Sequence, residues 1–277
     1  MKVVRHFMKK FIQFFAFIIF MSCDSTNSQD IDNQADKDKQ EQIIEEYLKK
    51  GAWNFPLFSN DWQEEIDKGL AKDSTIAYLW QQKAMPLFKQ SKYEVGMKYI
   101  DKAVKYDAER WQDYRAFIKC IFAKTYTQAI DDFEDYKSKF GNGYVMDHSY
   151  DFYIGLSYLQ LNEYTLAENS FTNSINQQIS ENGESWIHYL DIFYLAITQM
   201  EQKQYKKAIT NFDKSLKEYP EFSEALYYKG YCMKKLGYGN LAFETMQIAK
   251  EFGLRGYTIN EDNVIYEKYP YQIKWTN

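Results

Sequence analysis

The sequence predicts an all-α chain built as a stack of helix-turn-helix units. Three observations carry that prediction. First, an aromatic, a small, a bulky apolar and usually a second small residue recur at offsets of three, four and three. The copies are Tyr93-Gly96-Ile100-Ala103, Tyr126-Ala129-Phe133-Tyr136, Tyr164-Ala167-Phe171-Ser174 and Tyr205-Ala208-Phe212-Ser215. A fifth is Ala242-Met246-Ala249, with Tyr238 near its aromatic slot. These offsets place the residues of each copy on one helix face. Second, the small residues Ala84, Gly155, Ala196 and Gly230 stand upstream of four of these copies. Apolar residues such as Trp80, Leu87, Ile154, Leu195 and Leu226 flank them, so each copy has a partner helix. Third, the copies keep a nearly constant spacing, so the same unit is built again and again.

Taken in order, residues 1–22 differ from the rest. Lys2, Arg5, Lys9 and Lys10 precede an apolar run from Phe11 to Phe20. A basic start with so short an apolar run reads as a secretory signal, too short to remain as a spanning helix. Ser22 directly before Cys23 resembles the bacterial lipoprotein signal, with Phe20 where that signal favours Leu. The resemblance implies cleavage before Cys23 and a lipid on its thiol. Residues 23–40 then read as the lipidated cysteine and a disordered tether, because they offer almost nothing to bury. A degenerate helical unit is expected over residues 41–73, since Trp62-Ile66-Gly69 stands one period before Gly96-Ile100-Ala103. The repeat stack covers residues 74–252. Pro86 falls inside its first helix and removes a backbone donor, so a kink is expected there. After Gly253 and Gly256 the helical pattern stops. In residues 253–277, Tyr269, Tyr271, Ile273 and Trp275 alternate with Pro270, Gln272 and Lys274, the period of an extended tail. Its apolar face needs cover. The tail is expected to cap the last repeat, to enter the groove of the stack, or to stay free and bind elsewhere.

Tyr93, Tyr126, Tyr164 and Tyr205 are 33, 38 and 41 residues apart, and Ala208 and Ala242 are 34 apart. This resembles the tetratricopeptide repeat (TPR) family, whose unit is 34 residues. The fourth unit carries the likeness best, with Leu195-Ala196, Tyr205, Ala208, Phe212, Ser215 and then Pro220. The resemblance implies a right-handed superhelix of about five repeats, its first helices lining a concave face. In that register the face carries Gln81, Gln82 and Met85; Tyr114, Arg115 and Ile118; Phe152, Tyr153 and Leu156; Phe193, Tyr194 and Ile197; and Tyr227, Tyr228 and Tyr231. The candidate ligand groove is Tyr114, Arg115, Phe152, Tyr153, Phe193, Tyr194, Tyr227, Tyr228 and Tyr231. The second unit departs from the pattern, with Phe117 and Tyr136 where small residues belong, so its helices are expected to sit further apart. Insertions are expected at Gly141-Asn142-Gly143 and at residues 178–184.

The chain carries 34 basic and 39 acidic residues. Removing residues 1–22 takes four basic and no acidic residues, so the mature net charge is 30 − 39 = −9. Nucleic acid is therefore not the expected partner, because phosphate contacts need basic surfaces. Cys120 and Cys232 lie three repeats apart and read as small buried thiols. His148 and His188 each precede an aspartate by three residues, which reads as a surface or capping contact. No catalytic, cofactor or metal-ligand set stands out, and no enzyme is expected. Tyrosine-rich grooves suit an extended peptide or a sugar chain. The Lys/Asn carboxylate clamp of chaperone-binding TPR proteins is absent. The expected function is a membrane-anchored scaffold or adaptor for a protein or peptide partner. A glycan-binding lipoprotein, or an accessory lipoprotein of an outer-membrane assembly machine, is the alternative. The signal implies the cell envelope of a Gram-negative-type bacterium, the outer membrane ahead of the inner. Asp24 after Cys23 resembles an inner-membrane retention signal used in some lineages.

Overall fold

A computed structural model describes residues 28–276. Among them are twelve α-helices and one two-stranded hairpin. Cys23 and the apolar run before it lie outside the described residues. Helix α1 spans Ser28–Ile43. This stretch was expected to belong to a disordered tether, and from Ser28 onward it is helical. No glycine or proline interrupts it, and Gln34 Nε2 donates to Asp38 Oδ1 one turn on, at 2.7 Å. Its side chains from Gln34 to Lys39 are exposed, so over that stretch the helix is favoured by local propensity and contacts along its own surface.

From Ile43 the chain begins to bury apolar side chains. A single wide turn over Ile44–Lys49 and a short turn over Ala52–Asn54 lead to α2, Asn60–Lys72. The Ser59 side chain caps α2 by accepting from Trp62 N at 3.2 Å. Trp62, Ile66 and Leu70 of α2 form a small core with Leu48, Ala52, Ile76 and Leu79.

Five antiparallel helix pairs follow: α3 (Ala77–Lys89) with α4 (Tyr93–Tyr106), α5 (Ala108–Ile121) with α6 (Tyr126–Phe140), α7 (Tyr150–Gln160) with α8 (Tyr164–Asn182), α9 (Tyr189–Glu201) with α10 (Tyr205–Glu218), and α11 (Ser223–Lys235) with α12 (Gly239–Leu254). Each pair turns through one left-handed residue two positions before its second helix: Ser91, Lys124, Asn162, Lys203 and Gly237. In every pair an amide reaches back five residues, as Glu163 N does to Tyr158 O at 2.9 Å, which closes the first helix. The second turn is one residue longer and adds a bond from Thr125 N to Lys119 O at 2.9 Å.

The pairs close on the residues the repeat pattern picked out. Ala84, Ala103, Ala129, Ala167, Ala196 and Ala208 are fully buried. The Phe171 ring fills the space left by Gly155, where an added Cβ would lie 2.9 Å from it. Phe88 does the same over Gly96. The two insertions differ from expectation in form. One is the hairpin of β1, Tyr144–Val145, and β2, His148–Ser149. The other is mostly helical: α8 simply continues to Asn182 and stops at Gly183, whose φ of 90° no longer suits a helix.

Pro86 has a structural counterpart. Lacking an N–H, it leaves the Gln82 carbonyl, four residues back, without its helical donor. Trp62 Nε1 of α2 donates to that carbonyl at 3.3 Å, and Gln63 Nε2 donates to the adjacent Lys83 carbonyl at 3.2 Å. The proline thus opens one acceptor, the Gln82 carbonyl, through which the N-terminal unit attaches to the first full repeat.

Two outcomes test this packing. Ala208→Leu overpacks the contact of α9 with α10 and is expected to destabilise by about 1–3 kcal/mol, read from denaturant melts. Trp62→Phe is expected to cost about 1 kcal/mol in the native chain and less in a Pro86→Ala background, where the restored backbone N–H can serve the Gln82 carbonyl again. Equal costs in the two backgrounds would show that Trp62 acts through packing alone.

Candidate functional site

The first helices of consecutive units touch, α5 with α7, α7 with α9 and α9 with α11, and their free faces form the concave side. The consecutive aromatics on them divide their work. Phe152 packs on Phe171 of its own unit and Phe193 on Phe212 of its own. Tyr153 stacks on Phe133 of the preceding unit, at 5.7 Å between centroids, and Tyr194 on Phe171 of the preceding unit, at 5.8 Å. Phe152 and Phe193 are therefore core, not groove wall. Arg115 also differs from expectation. It is held by Asp132 at 2.7 Å and Asp101 at 2.9 Å, both on second helices. Two carboxylates on its own and the preceding pair draw it to that side. Tyr114 is half-buried beside Phe117, and burial pushes its hydroxyl pKa up to about 12, against a hydrogen bond to Gln81 that lowers it.

Tyr153 is fully buried with its hydroxyl unpartnered among the described residues, while Tyr194, Tyr227 and Tyr228 meet the C-terminal tail. The chain leaves α12 through Gly256, with φ at 89°, and the Tyr257 carbonyl accepts from Ser223 N at 3.0 Å. Ile259 is buried, and Glu261 reaches His148 in the third unit, Nε2 to Oε2 3.3 Å. After a short turn over Asp262–Ile265, Glu267 pairs with Lys124 at 2.8 Å and accepts from the Tyr93 hydroxyl. The tail then reverses along the groove. Tyr269 is buried, Tyr194 Oη donates to the Pro270 carbonyl at 2.9 Å, and Tyr228 Oη donates to the Tyr271 carbonyl at 3.1 Å. Tyr271 Oη donates to Glu201, Ile273 N donates to Glu224, and Trp275 Nε1 donates to Ser223 Oγ at 3.1 Å. The Trp275 indole lies against Gly253, where a Cβ would come within 2.3 Å, and edge-on to Tyr227.

The tail therefore lies in the groove, and its Trp275 end also packs on Gly253 of α12. Leu241, Phe243 and Ile248 on α12 stay exposed. Nor is the tail a plain extended segment. Tyr271 adopts φ 59°, and Gln272 N returns to the Tyr269 carbonyl. A single strand with no neighbour has no ladder to join, so its carbonyls turn to groove hydroxyls instead. Beside the tail, Met200, Lys203, Tyr205, Tyr227 and Tyr231 leave an open cleft of about 410 Å³.

A second cluster lies where the tail crosses α7. His148 is buried, not at the surface, and sits with His188 and Asp191. Burial opposes charge on the His148 ring, but Asp191 and Glu261 beside it outweigh burial and raise its pKa to about 9. His188 moves the other way, lowered by burial and by the charge of His148, and its Nδ1 caps α9 by accepting from Leu190 N. Cys120 and Cys232 are buried free thiols, and burial pushes each pKa up to about 12. Glu201, Glu224, Glu261 and Lys124 were not legible as site residues, because their partners lie far along the chain and no local spacing marks them.

Comparison with known proteins identifies the architecture. Residues 192–221 match the tetratricopeptide repeat family model, over the α9–α10 unit. The chain has the TPR fold. A tetratricopeptide repeat protein from Parabacteroides merdae superposes with a TM-score of 0.59 at 14% identity, over 79% of this chain and 87% of that one. YrrB, described as a TPR protein with an unusual peptide-binding site, gives 0.51 at 15% identity, over 70% and 95%. PilW, a type IV pilus biogenesis factor, gives 0.54 at 15%, over 79% and 90%. The sequence matches none of the curated proteins compared with it. No described helix of this TPR chain is long and apolar enough to cross a membrane.

The tail contacts are testable one at a time. Tyr228→Phe removes only the donor to the Tyr271 carbonyl. The expected cost is about 1 kcal/mol, with faster amide exchange over residues 269–275. Unchanged exchange there would mean that the hydroxyl does not hold the tail.

Proposed function

We propose that this chain is a lipid-anchored TPR adaptor that holds an extended, aromatic-rich segment of a partner protein in its concave groove. The observation that carries the reading is the groove's present occupant. A stretch of main chain that turns at Pro270 and Tyr271 lies along the first helices, and Tyr194 and Tyr228 hold it by those two successive carbonyls. Main-chain recognition of that kind does not depend on the identity of the bound side chains, while clefts between aromatics select among them. The likeness in fold to YrrB, described by its peptide-binding site, and to the pilus factor PilW supports a binding role. We assign the protein no catalytic step. In this reading the lipid on Cys23 fixes the adaptor in the envelope, at the outer membrane, and the polar segment after it gives reach. The tail keeps the groove covered until a stronger peptide takes its place.

A peptide of residues 267–277 tests the groove directly. It is expected to bind in trans to a chain ending at Tyr266 and not to the full chain, read by fluorescence anisotropy. If the shortened chain fails to fold, full-length Tyr271→Ala/Trp275→Ala takes its place in the same assay. No binding to a folded variant with a released tail would defeat the peptide-groove reading. The anchor has its own test. Cys23→Ala is expected to leave the chain uncleaved or to release it from the membrane fraction. Normal cleavage with continued membrane association would refute lipidation at Cys23.

A further inference from the structure

His148 and His188 occupy equivalent places in consecutive units, each just ahead of or at the start of a first helix and three residues before an aspartate. The stack brings both together with Asp191, and one possible ligand atom from each lies within 4.8 Å of the others. His148 and Asp191 are almost fully buried, at 2% and 1% exposure. His148 Nδ1 stands 3.8 Å from Asp191 Oδ2. That is too long for a hydrogen bond. It is near the roughly 3.3 Å between two ligands that share a tetrahedral Zn²⁺ at about 2.0–2.1 Å each. Asp191 Oδ2 accordingly has no hydrogen-bond partner among the described residues, while Oδ1 accepts from Ser174 Oγ. An orphaned, buried carboxylate oxygen is costly, and it points to something that the protein atoms alone do not supply.

We propose that His148, His188 and Asp191 form a transition-metal site suited to Zn²⁺, with Glu261 of the tail as the carboxylate behind His148. The donor set is two imidazole nitrogens and one carboxylate oxygen. That suits Zn²⁺ and disfavours Ca²⁺ and Mg²⁺, which take oxygen ligands. Coordination through His148 Nδ1 leaves Nε2, which makes no hydrogen bond among the described residues, 3.3 Å from Glu261 Oε2, where a small turn of the ring completes the carboxylate pairing that orients and strengthens a metal-bound histidine. Ser174 orients Asp191 in the same sense. His188 now accepts a long contact from Leu190 N on Nδ1, at 3.3 Å, so ligation through Nε2 moves the ring proton to Nδ1 and gives up that contact. A cleft of about 290 Å³, bordered by Tyr144, Asp147, Gln178 and Trp186, reaches the three side chains. It gives the ion a route in and room for a water to complete four-coordination. Without a metal, a proton on His148 supplies positive charge beside Asp191 and Glu261, but at 3.8 Å it does not satisfy Asp191 Oδ2.

This inference is independent of the groove reading. Full-length protein in detergent is stripped with a chelator, titrated with ZnCl₂ by calorimetry, and loaded with CoCl₂ for absorption spectroscopy. The expected result is one zinc per chain, a raised melting temperature and the cobalt spectrum of a four-coordinate site. His188→Gln and Asp191→Asn are each expected to weaken zinc binding by at least about 10-fold, and Glu261→Gln by about 10-fold. If a ligand variant fails to fold, the wild-type ring-proton resonances of His148 and His188 decide, since zinc must shift both. The absence of saturable binding overturns the proposal. So does zinc binding that both ligand variants retain in full, or zinc that leaves the two rings unmoved.

Discussion

The interaction on which the rest depends is the clamping of second-helix phenylalanines between successive first helices. Phe171 meets Phe152 of its own unit and Tyr194 of the next. Phe133 sits against Tyr150 and Tyr153, both from the following unit. Such ring pairs contribute about 0.5–1.5 kcal/mol beyond their buried area. More important, each one ties a unit to its neighbour. A single helix pair cannot cover its own apolar face, so stability comes from contacts that only stacking completes. The buried glycines and alanines are the other half of the same constraint. They bring the paired helices close enough for one ring to span the gap.

That clamping has a consequence on the concave side. To stack on the preceding unit, Tyr153 and Tyr194 must lie with their rings in the core, which leaves their hydroxyls wherever the ring ends. For Tyr194 and Tyr228 that place is the groove, and the tail carbonyls satisfy them. A hydroxyl buried without a partner costs on the order of 1–3 kcal/mol. The groove is therefore not an inert wall. Its polar atoms require a main chain, or something like one, to be present. The tail meets this need from within the molecule. Its anchors are spread from Tyr93 in the first unit to Trp275 at the last, so it also bridges repeats that do not otherwise touch.

The repeat units were legible because each is a local device. Tyr164, Ala167, Phe171 and Ser174 fall on one face at fixed spacing, and helical geometry does the rest. Pro86 was legible as a feature but not as a purpose, since the indole that serves the freed carbonyl belongs to a different helix. Arg115 illustrates the opposite error. Its register on α5 suggested the groove, but Asp101 and Asp132, on two other helices, outweigh one residue's worth of helical phase. His148 read as a surface or capping contact because a lone aspartate follows it three residues on. Its neighbours in space are Phe152, His188, Asp191 and Glu261, from three separate elements.

The sequence by itself determined the helix class, the number of pairs, the residues at each close approach and the point where helix gives way to tail. These follow from periodicity and from the size of single side chains, both properties of short windows. The tertiary structure decided which of two adjacent aromatics faces inward, which side chains hold the tail, and that the tail lies in the groove and not over the end of the stack. It also decided that two histidines from neighbouring units share a carboxylate. Those outcomes depend on the distance between residues up to 174 positions apart, as with Tyr93 and Glu267. No local pattern encodes such a distance, because it is set by the sum of small rotations between successive helix pairs.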